Sequence, residues 1–191
     1  MTTVSPSNRR RARWRPYAAN AVTGLRMCLT PLFAWVVMTA DAGARGWLAA
    51  GLFVVIAGSD LVDGRLARRF GAASARGRVL DHVADIVFIL SALDAYVLRG
   101  VVPGWVPGAI GASFGVYVVD SWWRSETRGI PTLIGSRVGH VGGVLNYGLV
   151  GVLVGNETVA LHQLSPAVMS WLFLLVPIYS GAAIATRLLR V

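Results

Sequence analysis

The chain has 191 residues, of which 55% are hydrophobic and only 14% charged, with a mean hydropathy of +0.60. A soluble globular domain carries about a quarter charged residues, so this balance excludes one and points into a bilayer. The net charge of +9 comes entirely from arginine, but the arginines sit in short blocks between apolar stretches instead of one stripe, which excludes a nucleic-acid partner. Cys28 is alone, so neither a disulfide nor a cysteine-rich metal site is available.

In chain order, residues 1–16 form an N-terminal tail and a basic interfacial segment, in which arginines alternate with Trp14 ahead of Tyr17. Residues 17–191 form a single domain without repeats or low-complexity linkers. A helix needs about 20 apolar residues to cross a bilayer. Six stretches reach that scale: Ala18 to Ala40, Trp47 to Arg68, Val79 to Leu98, Gly104 to Ser121, Val138 to Gly155, and Pro166 to Leu189. Arginine is dense before the first stretch, between the second and third, and between the fourth and fifth, while Arg45 and Arg99 stand alone on the alternate connections. The positive-inside bias then predicts an all-α, polytopic membrane protein with six transmembrane helices and both termini cytosolic. Within the fourth stretch, Gly104, Gly108, Gly111 and Gly115 form a small-residue seam suited to close helix contact.

The second stretch is free of charge only to Ser59 and then continues as a charged segment. Asp60, Asp63, Asp81 and Asp85 fall within 26 positions beside apolar helices. Ionised carboxylates near a membrane are costly unless paired, wet or metal-bound. On a helix Asp60, Asp63, Gly64 and Ala67 share one face, as do Gly77, Asp81 and Asp85 on the next. Two helices joined by a short turn thus direct four carboxylates to one volume, where hard divalent cations relieve both repulsion and desolvation. The small Gly64, Ala67 and Gly77 leave room for a diphosphate, and Arg68 is placed to meet its oxygens. Two metal ions a few ångströms apart suit in-line phosphoryl transfer.

The pattern Asp60-x2-Asp63-Gly64-x2-Ala67-Arg68-x8-Gly77-x3-Asp81-x3-Asp85 resembles the full signature of the CDP-alcohol phosphatidyltransferases. The resemblance implies that an acceptor hydroxyl attacks the β-phosphorus of a CDP-alcohol, usually CDP-diacylglycerol, and releases CMP. It implies Mg²⁺ or Mn²⁺, two ions, held by Asp60, Asp63 and Asp81, with Asp85 either a further ligand or, as favoured here, the catalytic base. Gly64, Ala67, Arg68 and Gly77 would line the nucleotide site. Asn20, Thr23 and Arg26, followed by Pro31, are similar to a pattern that often opens family members, and would reach the nucleotide or the site; Arg26 alternatively snorkels to the interface. A homodimer in the cell membrane, with its site facing the cytosol, is likewise implied.

Arg124, Arg128 and Arg137 lie on the same predicted side and are candidates for binding a phosphorylated acceptor, although topology bias accounts for them too. Asp120 is expected to pair with arginine. His82 lies off the carboxylate face, Asp94 lies too far along its helix for the site, and His140, Asn146 and Tyr147 either line the cavity or join helices. The expected function is phosphatidyl transfer in phospholipid biosynthesis, with glycerol 3-phosphate the first acceptor and inositol phosphate, serine or phosphatidylglycerol as alternatives. A divalent-cation transporter or channel is the rival class, disfavoured because the carboxylates cluster at one end.

Overall fold

A computed structural model describes the backbone of residues 6–70, 75–124, 137–158 and 164–189, and the side chains of residues 23–41, 43–59, 77, 79–124, 139–158 and 164–189. The described residues form six helices and no strand: α1 (Pro6–Thr39), α2 (Ala42–Phe70), α3 (Ala75–Leu98), α4 (Trp105–Trp123), α5 (Arg137–Glu157) and α6 (Pro166–Leu188). The six expected stretches correspond to these helices in order.

The arginine-rich segment ahead of the first apolar stretch is helical and continuous with it: α1 begins at Pro6 and runs for 34 residues. Arginine and alanine favour helix, and proline is tolerated in the first turn, where its missing N–H would have no partner. At 1.5 Å per residue α1 is about 50 Å long, well beyond the roughly 30 Å of a hydrocarbon core.

By length and apolarity, α6 is the one helix among the described residues that meets a strict criterion for crossing a membrane, with shorter apolar runs at Thr23–Thr39 and Gly43–Ser59. Helix α3 is interrupted by Asp81, Asp85 and Asp94, which lower its hydropathy. The bundle's exterior is nonetheless strongly apolar, with Trp35, Trp47, Val54, Leu98, Trp171 and Ile178 all exposed.

Helix α3 packs against α1, α4 and α5, while α2 packs against α1 and α5, and α6 against α4 and α5. Consecutive helices run antiparallel, so the bundle has two distinct ends. Between them Phe33, Ile56, Phe88, Leu93, Val150, Leu153 and Val176 form a core with almost no solvent contact. The glycine seam of α4 contributes to this packing in part: Gly104 lies against Val97 and Gly111 against Leu90, both on α3.

At the end holding the C-termini of α1, α3 and α5, Arg99 forms an ion pair with Glu157, which also accepts a long 3.5 Å hydrogen bond from the Tyr96 hydroxyl. Gly46 at the start of α2 comes so near that any Cβ there would overlap the Glu157 carbonyl. The turn after α3 closes through Gly100 at φ 71°, a left-handed conformation that glycine adopts without steric penalty.

Candidate active site

At the opposite end, α1 and α3 present matching faces. Thr23 and Arg26 are one turn apart on α1, and Asp81 and Asp85 are one turn apart on α3, so two pairs meet in register. The Thr23 hydroxyl donates to Asp81 Oδ1 at 2.5 Å. One turn deeper, Arg26 forms an ion pair with Asp85 through Nη1 and Oδ1. Arg26 is 1% exposed whereas Asp85 is 27% exposed, so the cation is sealed and the carboxylate reaches an opening. Arg26 therefore does not snorkel to the interface; its carboxylate partner lies inside the bundle.

A second donor reaches the same oxygen from α5, where the Tyr147 hydroxyl donates to Asp85 Oδ1 at 2.8 Å. Its ring belongs to an aromatic cluster that joins four helices. Phe33 of α1 meets Phe88 of α3 edge-on at 5.3 Å, Phe88 lies 5.7 Å from Tyr147, and Phe53 of α2 lies 6.4 Å from both Phe88 and Tyr147. Phe88 follows Asp85 by three residues, so the face of α3 that bears the carboxylates also anchors them in the core. The sequence offers Tyr147 only as one of several polar residues on α5; its partner is 62 positions away.

Gly77 lies on the first turn of α3, half-buried and on the face of Asp81 and Asp85. Asp60, Asp63, Gly64, Ala67 and Arg68 all lie on the last turns of α2, whose helical backbone keeps the spacing that sets them on one face. Their side chains lie outside the described residues, as do those of Asn20 and Arg137; Arg128 lies outside them altogether. Among the described residues no three acidic, histidine or cysteine side chains gather as a metal site, and the described contribution is Asp81 and Asp85. Their donor set, carboxylate oxygen a helical turn apart, fits a hard cation such as Mg²⁺ or Mn²⁺ and not a soft one.

A separate ionic cluster lies where α4 and α6 end. Asp120 Oδ1 accepts from Arg124 at 2.7 Å and Asp120 Oδ2 from Arg187 at 2.9 Å. The Arg187 guanidinium also lies 4.3 Å from the centre of the Tyr117 ring, which in turn stacks on His82 at 6.4 Å. Arg124, a candidate for acceptor binding, thus meets Asp120, and His82 takes a packing role. Sequence spacing gives no sign of Arg187 in this cluster, because it lies 67 positions from Asp120. Asp94 is exposed on α3, about 13 Å along the axis from Asp85. Asn146 accepts a hydrogen bond from Tyr179 and so joins α5 to α6, while His140 is exposed.

The family model of the CDP-alcohol phosphatidyltransferases matches residues 17–179. The chain is 37% identical over 91 residues to a cardiolipin synthase (CMP-forming) of Streptomyces coelicolor, covering 46% of this chain and 41% of that protein. It is 28% identical over 167 residues to a putative cardiolipin synthase of Mycobacterium bovis, covering 84% of this chain and 75% of that protein. A probable phosphatidylglycerophosphate synthase of Mycobacterium tuberculosis is 33% identical over 90 residues, covering 46% of this chain and 43% of that protein. With the family match spanning most of its length, the chain belongs to the CDP-alcohol phosphatidyltransferase family.

Proposed function

We propose that this chain is a multi-pass membrane enzyme that transfers the phosphatidyl group of CDP-diacylglycerol to the hydroxyl of phosphatidylglycerol, forming cardiolipin and CMP. The reaction class rests on one observation above all: Asp81 and Asp85 lie on one α3 face and are each held by a donor from α1, within a family match that covers residues 17–179. The exposed apolar exterior supports six spans, and the arginine distribution supports cytosolic termini and a cytosolic site. The homodimer implied by the family belongs to the same proposal.

In this reading Asp60, Asp63 and Asp81 hold two Mg²⁺ or Mn²⁺ ions, which when bound neutralise the diphosphate and the charge that develops during transfer. Gly64, Ala67, Arg68 and Gly77 line the cytidine diphosphate, with Asn20 at its edge. Thr23 orients Asp81. Asp85 takes the proton of the acceptor hydroxyl as that oxygen bonds to the β-phosphorus, while the bond from that phosphorus to the CMP oxygen breaks and CMP leaves. Arg26 and Tyr147 keep Asp85 in place through hydrogen bonds to one oxygen.

Phosphatidylglycerol is favoured over glycerol 3-phosphate for two reasons. The relative aligned over 84% of this chain is named as a putative cardiolipin synthase. In addition, Arg124, one of the candidates for seating a small phosphorylated acceptor, already meets Asp120, which weakens its case for that role. Glycerol 3-phosphate remains the second reading because a phosphatidylglycerophosphate synthase also aligns.

Purified protein incubated with CDP-diacylglycerol, Mn²⁺ and either acceptor separates the readings by CMP release and by the lipid formed. Cardiolipin from phosphatidylglycerol is the expected product, and turnover is expected to require Mn²⁺ and to be lost in Asp60→Ala and Asp63→Ala. Product from glycerol 3-phosphate alone would overturn the acceptor, and turnover in metal-free chelator would overturn the ions.

A further inference from the structure

We propose that Tyr147 is a positioning residue for Asp85, a role that rests on the reaction proposed above and adds to it an element from α5. Two donors from two different helices converge on one carboxylate oxygen: Arg26 from α1 and the Tyr147 hydroxyl from α5, the latter at 2.8 Å. A single donor leaves a carboxylate able to pivot about it. Two donors on the same oxygen from separate helices fix the rotation of the group and therefore which face it turns toward a reacting phosphate.

The hydroxyl is itself held rigidly. Its ring lies 5.7 Å from Phe88 and 6.4 Å from Phe53, inside the cluster that also includes Phe33. Phe88 is on the same helix as Asp85, so the ring that carries the donor and the helix that carries the acceptor are located by one packed unit. At the far end α5 meets α3 through Glu157 with Arg99 and Tyr96, and Tyr147 links α5 to the carboxylate end of α3.

Tyr147→Phe removes the hydroxyl and keeps the ring. It is expected to lower kcat about tenfold or more while KM for CDP-diacylglycerol stays within about twofold, the pattern of a group whose placement matters in the transition state. Leu153→Ala opens a cavity in the core on the same helix, about 9 Å along α5 from Tyr147 and outside the aromatic cluster, and serves as the structural control. It is expected to lower the unfolding temperature at least as much as Tyr147→Phe does, yet to leave kcat within about twofold. Equal losses of kcat in the two variants, or wild-type kcat in Tyr147→Phe, overturn the role.

An infrared measurement needs no turnover. The carboxylate band present in the wild type and missing in Asp85→Asn is expected to shift in Tyr147→Phe, because a hydrogen bond to that group is removed. An unshifted band overturns the positioning role, whereas a chain that releases no CMP with either acceptor overturns the reaction on which it rests.

Discussion

Arg26 of α1 is almost fully sealed in the bundle while its partner Asp85 on α3 keeps more than a quarter of its side-chain surface exposed. The two halves of this ion pair are therefore not equivalent. Removing the partner of a buried charge is costly because that charge keeps its desolvation, whereas a partly exposed charge turns to water. Asp85→Ala is expected to lower unfolding stability by about 3 kcal/mol and Arg26→Met by about 1 kcal/mol, measured in the same detergent. Equal costs, or a larger loss for Arg26→Met, would show that burial does not govern the pair.

Thr23 and Asp81 give a graded expectation for activity. Asp81→Ala removes a carboxylate proposed to hold metal and is expected to lower turnover by about a thousandfold or more. Thr23→Val keeps the shape of the side chain but removes the 2.5 Å hydrogen bond to Asp81, with an expected loss of about tenfold. Asp94→Ala, remote on the same helix, is expected to stay within about twofold of wild type. The ordering of these three rates of CMP release is the measurement; an Asp81→Ala enzyme as active as Asp94→Ala would remove Asp81 from the site.

Much of this arrangement is legible in the sequence because it is local. Asp81 and Asp85 share a face through a four-residue step, and the six helices correspond in order to the apolar stretches of the sequence. What spacing does not encode is which distant helix supplies each partner. Tyr147 meets Asp85 across 62 positions, Arg187 meets Asp120 across 67, and Glu157 meets Arg99 across 58. Each of these depends on how helices pack, and a polar residue on an apolar helix carries no label for its partner. The start of α1 is not written in hydropathy either, because an apolar run does not mark where its helix begins, and α1 extends through the arginine-rich segment to Pro6.

Gly46 tests the close approach at the far end of the bundle. A methyl group there would overlap the Glu157 carbonyl, which is backbone and cannot swing aside like a flexible side chain. Gly46→Ala is therefore expected to be destabilising by about 1–3 kcal/mol despite alanine's better helix propensity, whereas Gly43→Ala, with open space around it, is expected to be neutral or stabilising. Thermal unfolding of the two variants side by side decides the matter, and a stabilised Gly46→Ala would mean that α2 and α5 lie further apart.

Arg124 and Arg187 share Asp120 but differ in setting, and the difference bears on the acceptor. Arg124 is 44% exposed and pairs with Asp120 one turn back on its own helix, an arrangement worth about 0.5 kcal/mol or less. Arg187 is 8% exposed, bridges α6 to α4, and lies over the Tyr117 ring, which an ammonium cannot cover in the same planar way. Arg187→Lys is expected to cost about 1–2 kcal/mol in unfolding and Arg124→Ala almost nothing. With phosphatidylglycerol as acceptor, Arg124→Ala is also expected to leave the acceptor KM within about twofold. A large rise in that KM, with stability unchanged, would instead make Arg124 a contact for the phosphate of phosphatidylglycerol, with its pairing to Asp120 giving way when that acceptor binds.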